Sequence, residues 1–390
     1  MKILIAQDSI DTGGGVETYL LSTIAELRAR GHQVALLYCR RTSGRTNLRG
    51  AAEFALGIEE RGLDDVLSEL RTWGPDICFS HNMEPLEIDR ILIDEWPVVK
   101  MLHGFFGTCV SGLKMHAFPS TEVCHRDFGA SCLAMYVPRR CGQLSPLAMV
   151  RGYRWACDQQ DLFSRYSALV VASSFMREEI VRHGVSAERV NALPLFSTVP
   201  IDAAISANGD DTVLFGGRMT TLKGGQVLIA AAARASRVLG RPVRLLMAGE
   251  GPQKEHWRQL ASWLDVPADF TGWIRPEDRA RAYARATIVA VPSLWPEPFG
   301  LIGLDAGALG KPAVAFDVGG IREWLKDGAN GVLVAAASGE QGLAEAIVRL
   351  LGNRDERARM GCESLRIARQ FSVAAHVDRL EALLQTKAAA

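Results

Sequence analysis

The sequence contains no apolar run approaching eighteen residues, so nothing in it reads as a membrane-spanning helix. The opening M-K-I-L-I-A-Q-D turns polar by Gln7, which is too short for a signal peptide and lacks a cleavage site. A cytoplasmic protein is expected, at most peripheral at the inner face of a membrane. There is no excess of charge either: Lys plus Arg and Asp plus Glu each number 44 in 390 residues. No global field therefore recruits nucleic acid, and any anion site has to be built locally. The eight cysteines form no C-x-x-C, and without a secretion signal they argue for reduced thiols or a metal rather than a disulfide scaffold. Also missing are the P-loop pattern G-x-x-x-x-G-K-[ST], the spaced glycine fingerprint G-x-G-x-x-G, and a run of aspartates suited to Mg²⁺.

What is present is an alternation. Hydrophobic residues make up 48% and charged residues 23%, as in an ordinary globular chain. Short β-branched runs (Ile3 to Ala6, Val34 to Tyr38, Ile77 to Ser80, Val98 to His103, Leu169 to Ala172, Val190 to Leu193) take turns with helical patterns (Val16 to Arg30, Leu63 to Thr72, Pro85 to Asp94, Pro146 to Phe163, Phe175 to His183). This is the βαβ pattern of a doubly wound sheet. A stretch of breakers follows Pro194 and reads as a linker, and a second alternation starts at Thr212. The expected architecture is α/β, with two Rossmann-like domains facing across a cleft. The first covers 1–195 and carries an insertion at 104–145; the second covers 210–370. The helical tail from Arg354 to Leu384 breaks near Phe371 and Ser372.

The second half is organised around Thr287 to Asp317, which reads as strand, loop, helix and strand, with the helix from about Phe299 to Leu309 and a stop at Gly310. In an open parallel sheet, ligands sit beyond the carboxyl ends of the strands, so the loop from Ser293 to Gly300 is a candidate site. Glu297 is the acid placed to face a ligand there, and Asp305 is a second acid eight residues on.

Several glycine turns follow strands. Gly13, Gly14 and Gly15 open the first helix, and F-G-G-R-M-T-T-L-K-G-G opens the second alternation with Gly217, Arg218 and Lys223. Two cations five residues apart at a helix start suit a diphosphate. Flexible turns and solvated surface cations are the plainer readings. Gly249 and Gly251, and then Gly272 to Arg275 with Trp273 and Ile274, mark further turns that would line the same crevice, although Trp273 suits the core as well as a base platform.

Together, G-G-V-E near the N-terminus, M-L-H-G-F with His103, G-G-R with a Lys-Gly five residues later, G-x-G after the next strand, and Glu297 with an acid eight residues on resemble the retaining glycosyltransferases of family 4. The resemblance covers nearly the whole chain. It implies the GT-B fold, with the final helix, about 372–386, packing back on the N-terminal domain. It implies a nucleotide-sugar donor, a UDP- or GDP-sugar, held mainly by the C-terminal domain, with no cofactor required. Arg218 and Lys223 would hold the diphosphate and Glu297 the donor-sugar hydroxyls. Phe299, Gly300 and Leu301 would offer backbone amides, and His103 would sit beside the transferred sugar. The second acid of the family is usually glutamate and accepts from the ribose hydroxyls; Asp305 is one methylene shorter. The acceptor would be a sugar, a lipid-linked glycan or a small molecule. An epimerase-like enzyme of the same fold and a catalytically silent sugar-nucleotide-binding protein are the competing readings.

The insertion after His103 holds Cys109, Cys124, Cys132 and Cys141, with His116 and His125 nearby. A structural zinc site, free thiols and disulfides are all compatible with spacings of this kind. Arg139 and Arg140 would meet an anionic acceptor or serve as a solvated basic pair. The helix Pro146 to Phe163, with Arg151, Arg154 and Trp155, suits a membrane interface or a partly buried position.

Overall fold

A computed structural model describes residues 1–11, 14–42, 46–200 and 211–389. Gly13 of the triple glycine and positions 201–210 of the expected linker lie outside the described residues. The chain divides into two units, Met1–Leu195 with Val373–Ala390, and Phe196–Ser372.

Unit 1 is built on seven parallel strands. In chain order they are β1 (Lys2–Ile10), β2 (Gln33–Arg41), β3 (Phe54–Gly57), β4 (Ile77–Ser80), β5 (Val98–Leu102), β8 (Ala168–Val171) and β9 (Val190–Ala192). A small hairpin of β6 (Met115–His116) and β7 (Glu122–Val123) lies in the insertion. The sheet order is β3-β2-β1-β4-β5-β8-β9, so the order reverses between β1 and β4. Leu4 pairs with Ala35 on one side and Cys78 on the other. Apolar runs form the central strands because both faces are covered: Ile3, Leu4, Ile5 and Ala6 are fully buried. The closing helix Val373–Ala388 packs against the first helix, Gly15–Ala29. Arg30 bridges to Asp378 at 2.6 Å and to Glu381 at 3.0 Å.

Unit 2 has six parallel strands: β10 (Thr212–Gly216), β11 (Arg244–Ala248), β12 (Ala268–Gly272), β13 (Ile288–Val291), β14 (Ala313–Phe316) and β15 (Gly331–Val334), ordered β12-β11-β10-β13-β14-β15. Its reversal lies between β10 and β13. Trp257 fills the space behind β10, ring edge against Phe215 at 5.5 Å, and comes so close to the helix Gly225–Leu239 that a Cβ on Gly225 would lie 2.4 Å from the indole.

Two details differ from the sequence reading. The helix after Glu297 spans Leu301–Gly307 and starts two residues late, because Gly300 takes a left-handed φ of 85° and the Phe299 carbonyl accepts from Trp324 Nε1 at 2.7 Å. Strand β3 was not anticipated at all.

The insertion requires a larger correction. Among the described residues, no group of three or more His, Cys, Asp or Glu side chains is placed to hold a metal ion, so Cys109, Cys124, Cys132 and Cys141 do not converge as zinc ligands. All eight thiols are free. Cys109 Sγ accepts from the Lys114 amide at 3.3 Å, and Cys141 Sγ lies 3.4 Å from His116 Nδ1. Burial and the neighbouring thiols push Cys141 up to about 11. A buried lysine secures the segment instead. Lys114 donates to the Arg126 carbonyl at 2.7 Å and pairs with Glu179 of the helix Ser174–Arg182.

Candidate functional site

In unit 2, the reversal of strand order leaves a crevice beyond the carboxyl ends of β10 and β13. The loops that close it are stitched edge to edge by their own backbones. Gly249 N donates to Gly272 O at 2.7 Å, Gly217 N to Ala248 O at 2.9 Å, and Met219 N to Glu250 O at 2.8 Å. On the other side, Leu294 N donates to Leu222 O at 2.8 Å and Gly320 N to Glu297 O at 2.7 Å. Glycine is required where these loops touch. A Cβ on Gly249 (φ 140°) would fall 1.9 Å from Gly217 O, and one on Gly224 (φ 71°) 1.8 Å from Pro292 O. Gly249 and Gly251, read from sequence as a turn, are thus places where one backbone passes close to another.

This stitching brings two of the predicted charged residues, Lys223 and Glu297, together. Lys223, just before the helix Gly225–Leu239, places Nζ 2.5 Å from Glu297 Oε1 and 4.9 Å from the centre of the Trp295 ring. Glu297 is buried, whereas Arg218 on the loop after β10 is exposed. The result is a buried carboxylate with its own counter-cation, while Arg218, on the loop that leads to Lys223, carries a charge that no ion pair engages among the described residues. Gly217, Gly249 and Gly251 lie on the rim formed by these loops, and Trp273 and Ile274 extend it after β12, both half-buried. Phe299, Gly300 and Leu301 follow Glu297 into the short helix, with Phe299 buried.

Asp305, inside the short helix Leu301–Gly307, is held by the segment that opens unit 2. Its carboxylate is buried and accepts from Thr198 N at 2.7 Å, from Ser197 Oγ at 3.0 Å and from Thr198 Oγ1 at 3.1 Å. Arg279 donates to Thr198 Oγ1 at 2.9 Å. Burial raises the Asp305 carboxyl above its usual range, and the hydrogen bonds from Thr198 and Ser197 and the charge of Arg279 oppose the shift.

In unit 1, His103 follows β5, and its Nε2 lies 2.9 Å from Nδ1 of His81, which follows the neighbouring strand β4. The rings stack at 5.3 Å with a 25° tilt. Burial lowers His103 to about 3 and His81 well below its ordinary value, with Lys100 adding to both shifts. Both rings are therefore neutral at pH 7. His81 Nε2 is buried without a hydrogen-bond partner. In the contact between the two neutral rings, one nitrogen donates its N–H and the other accepts. Tyr19 stands against both rings at 5.9 and 6.0 Å, and its hydroxyl bonds His376 Nε2 at 2.9 Å. Gly14 and Gly15 open the helix that carries Tyr19. Sequence reasoning missed His81, Tyr19 and Trp295. The signal available for His81 was a histidine directly after a buried run, in the same position relative to β4 as His103 to β5.

Comparison with known proteins bears on these two units. Residues 13–196 match the family described as Glycosyltransferase Family 4, and residues 210–353 match Glycosyl transferases group 1. The D-inositol 3-phosphate glycosyltransferase of Nocardia farcinica is 27% identical over 432 residues, covering 99% of this chain and 87% of that protein. Among solved structures, Anabaena HepE in complex with UDP-glucose superposes with a TM-score of 0.73 at 20% identity, covering 99% of this chain and 100% of that one. Sucrose-phosphate synthase from Thermosynechococcus elongatus also reaches 0.73, at 18% identity and with full coverage of both chains. With both halves matched in order and two parallel-sheet α/β units of the GT-B type, the chain belongs to the family 4, group 1 glycosyltransferases.

Proposed function

We propose that this glycosyltransferase transfers a sugar from a UDP-sugar to an acceptor hydroxyl with retention of anomeric configuration, using protein cations rather than a metal to carry the leaving diphosphate. The observation that carries the reading is the Lys223 to Glu297 pair at 2.5 Å, which joins the loops after β10 and β13 at the reversal of strand order. Arg218 and Lys223 are assigned to the diphosphate and Glu297 to the hydroxyls of the donor sugar. The amides of Phe299, Gly300 and Leu301, and the rim of Gly217, Gly249 and Gly251, complete the donor site, with Trp273 and Ile274 beside the base. Gly14 and Gly15 are assigned to the donor from unit 1. UDP is favoured because HepE was solved with UDP-glucose.

In the reaction, the bond from the anomeric carbon to the phosphate oxygen breaks and a bond from that carbon to the acceptor oxygen forms. The acceptor proton passes to the departing phosphate oxygen. The transition state is oxocarbenium-like, and negative charge grows on the diphosphate as the bond opens. Fixed cations at that position stabilise the charge where it develops, which lowers the barrier more than it tightens ground-state binding. His103, neutral, is assigned as a hydrogen-bond partner of the transferred sugar. The acceptor is a sugar, a lipid-linked glycan or a small molecule, and D-inositol 3-phosphate belongs in the first panel because the Nocardia relative is named for it.

The test is thermal stabilisation by UDP, GDP, ADP and dTDP sugars. A ligand at about 100 times its Kd adds about 2.7 kcal/mol. The expected result is a shift with the UDP series that Arg218→Ala abolishes. Absence of a shift with every series would overturn the donor assignment, and NMR of the product would report an inverted anomer if retention is wrong.

A further inference from the structure

Behind the two histidines of unit 1 lies a buried polar network that the proposed mechanism does not use. Lys100 on β5 and Asp89 on the helix Leu86–Glu95 form an ion pair, Nζ to Oδ2 at 2.7 Å, with side chains 3% and 0% exposed. Asp89 Oδ1 accepts from Ser80 Oγ at 2.6 Å, and Lys100 Nζ also donates to Ser80 Oγ at 3.1 Å. The Tyr166 hydroxyl donates to Asp89 Oδ2 at 2.7 Å and accepts from Gln159 Nε2 of the helix Pro146–Leu162 at 3.2 Å. Lys100 Nζ lies 5.8 Å from the centre of the Tyr166 ring. All five residues are buried, and no buried polar side-chain atom of the five lacks a partner.

Stability alone does not account for such a network. Taking two charges out of water is costly, and a buried pair replaced on both sides by apolar residues of similar volume is often neutral or stabilising. The position of the network in the sheet supplies another account. Ser80 and Lys100 are the last register pair of β4 and β5. His81 follows Ser80 directly, and His103 stands just beyond the end of β5. Past Ser80 and Lys100 the ladder between these strands ends, yet the two imidazoles still meet at 2.9 Å, His81 Nδ1 to His103 Nε2.

Two side chains meet in one geometry only when the backbones that carry them are fixed and each holds a single rotamer. Asp89 grips both strand ends at once, β4 through Ser80 and β5 through Lys100. Tyr166, just before β8, ties Asp89 to a third segment of the sheet. Burial is the first cause that keeps both rings neutral, and the charge of Lys100 adds to it in each.

We propose that Asp89 and Lys100, with Ser80, are positioning residues that hold the His81 and His103 imidazoles in hydrogen-bonding register, so that His103 presents one orientation to the transferred sugar. None of the three touches substrate. The consequence for activity rests on the assignment of His103 to the transferred sugar made above, whereas the hold on the two rings does not.

The test pairs kinetics of UDP release from UDP-glucose, with water as acceptor, and nitrogen-15 NMR of the histidine-labelled full chain without substrate. An N–H···N bond gives a coupling between the two nitrogens that it joins. The variants are Asp89→Leu with Lys100→Met, which removes both charges at similar volume, and Ser80→Ala, which keeps the ion pair and releases β4 from it. Wild type is expected to show the coupling between His81 Nδ1 and His103 Nε2. The double variant is expected to lose it and to lower kcat roughly tenfold or more, with KM for UDP-glucose within about twofold and a urea unfolding midpoint at or above that of wild type. Ser80→Ala is expected to weaken the coupling and to lower kcat about threefold.

Absence of the coupling in wild type would overturn the proposal. So would coupling and kcat retained in both variants, or kcat lost in both with the coupling intact. A double variant that fails to fold, together with full kcat and coupling in Ser80→Ala, would make the network a stability element and overturn it as well. Full kcat in His103→Ala, with the coupling lost in the double variant, would instead strike the sugar assignment of His103 and leave the hold on the imidazoles standing.

Discussion

Lys223 Nζ meets Glu297 Oε1 at 2.5 Å, joining the loop after β10 to the loop after β13 across seventy-four residues of sequence. The two partners are unequally placed: the Glu297 side chain is 7% exposed and that of Lys223 27%. Removing the cation strands a buried carboxylate, whereas neutralising the acid leaves a lysine that reaches water. Lys223→Ala is therefore expected to cost about 1 to 3 kcal/mol of stability and Glu297→Gln less than about 1 kcal/mol, measured by urea unfolding. Activity should not follow that order: both variants lose roughly 100-fold or more in kcat/KM, and Glu297→Gln keeps its melting response to UDP.

His81 touches no substrate in the proposed mechanism, yet its Nδ1 shares a hydrogen bond with Nε2 of His103. His81→Gln is expected to lower kcat at least tenfold with little change in KM for the donor, and His103→Ala roughly 100-fold. Nitrogen-15 shifts of the imidazoles report the tautomer directly. A His103 in a single tautomer in wild type and a mixture of forms in His81→Gln is the expected pattern; a mixture in wild type would sink the role given to His81.

Asp305 gathers a backbone amide and two hydroxyls from Ser197 and Thr198, a role that its short side chain suits. Asp305→Ala leaves those donors unpaired in a buried position and is expected to cost about 2 to 4 kcal/mol. Asp305→Asn, which retains one acceptor, should lose less than half of that. Equal Kd values for UDP in wild type and Asp305→Asn, measured by calorimetry, would place this residue outside ribose recognition; a tenfold weakening would place it inside.

His376 gives the protein an acid sensitivity of known sign. Its Nδ1–H donates to the Pro194 carbonyl at 2.8 Å and its Nε2 accepts from Tyr19, so the ring is held neutral and burial lowers it to about 4. A lowered value means that the unfolded chain binds a proton the folded chain refuses. Stability is complete above about pH 6.5 and falls as the pH drops toward 4, by at most about 1.4 kcal/mol per pH unit for this ring. His103, lowered to about 3, adds a drop of the same sign. Denaturant unfolding at pH 7, 6 and 5 should show the decline, and His376→Gln, less stable at pH 7, should show a shallower slope.

Much of the fold was legible because buried parallel strands have to be apolar on both faces, and runs such as Ile3 to Ala6 or Ile288 to Val291 show it without ambiguity. Strand β3 was not legible: Phe54–Gly57 is a four-residue edge strand with only its last two residues buried, so its pattern carries no period. The charges of the candidate site were legible as motifs, since Arg218, Lys223 and Glu297 stand at fixed offsets from glycines and a strand end. Their mutual arrangement was not, because Lys223 meets Glu297 through a long-range crossing of loops. The cysteines left zinc, free thiols and disulfides all open, and the thiols are free. Four thiols in one insertion invite a metal reading, but a single buried lysine, Lys114, secures that segment, and lysine in sequence reads as surface.

Unit 2 enters and leaves the rest of the chain at neighbouring points. Ser197 N donates to the Phe371 carbonyl at 3.0 Å, so the first and last residues of Phe196–Ser372 lie side by side. A segment whose ends meet is topologically a cassette: it can be cut out and closed without threading any part of it through the remainder. Residues 196–372 expressed alone should therefore fold and respond to UDP, and the flanking halves joined by a short linker should fold without them. The same geometry makes unit 2 an exchangeable module, one that recombination between relatives could replace in a single event while leaving unit 1 unchanged.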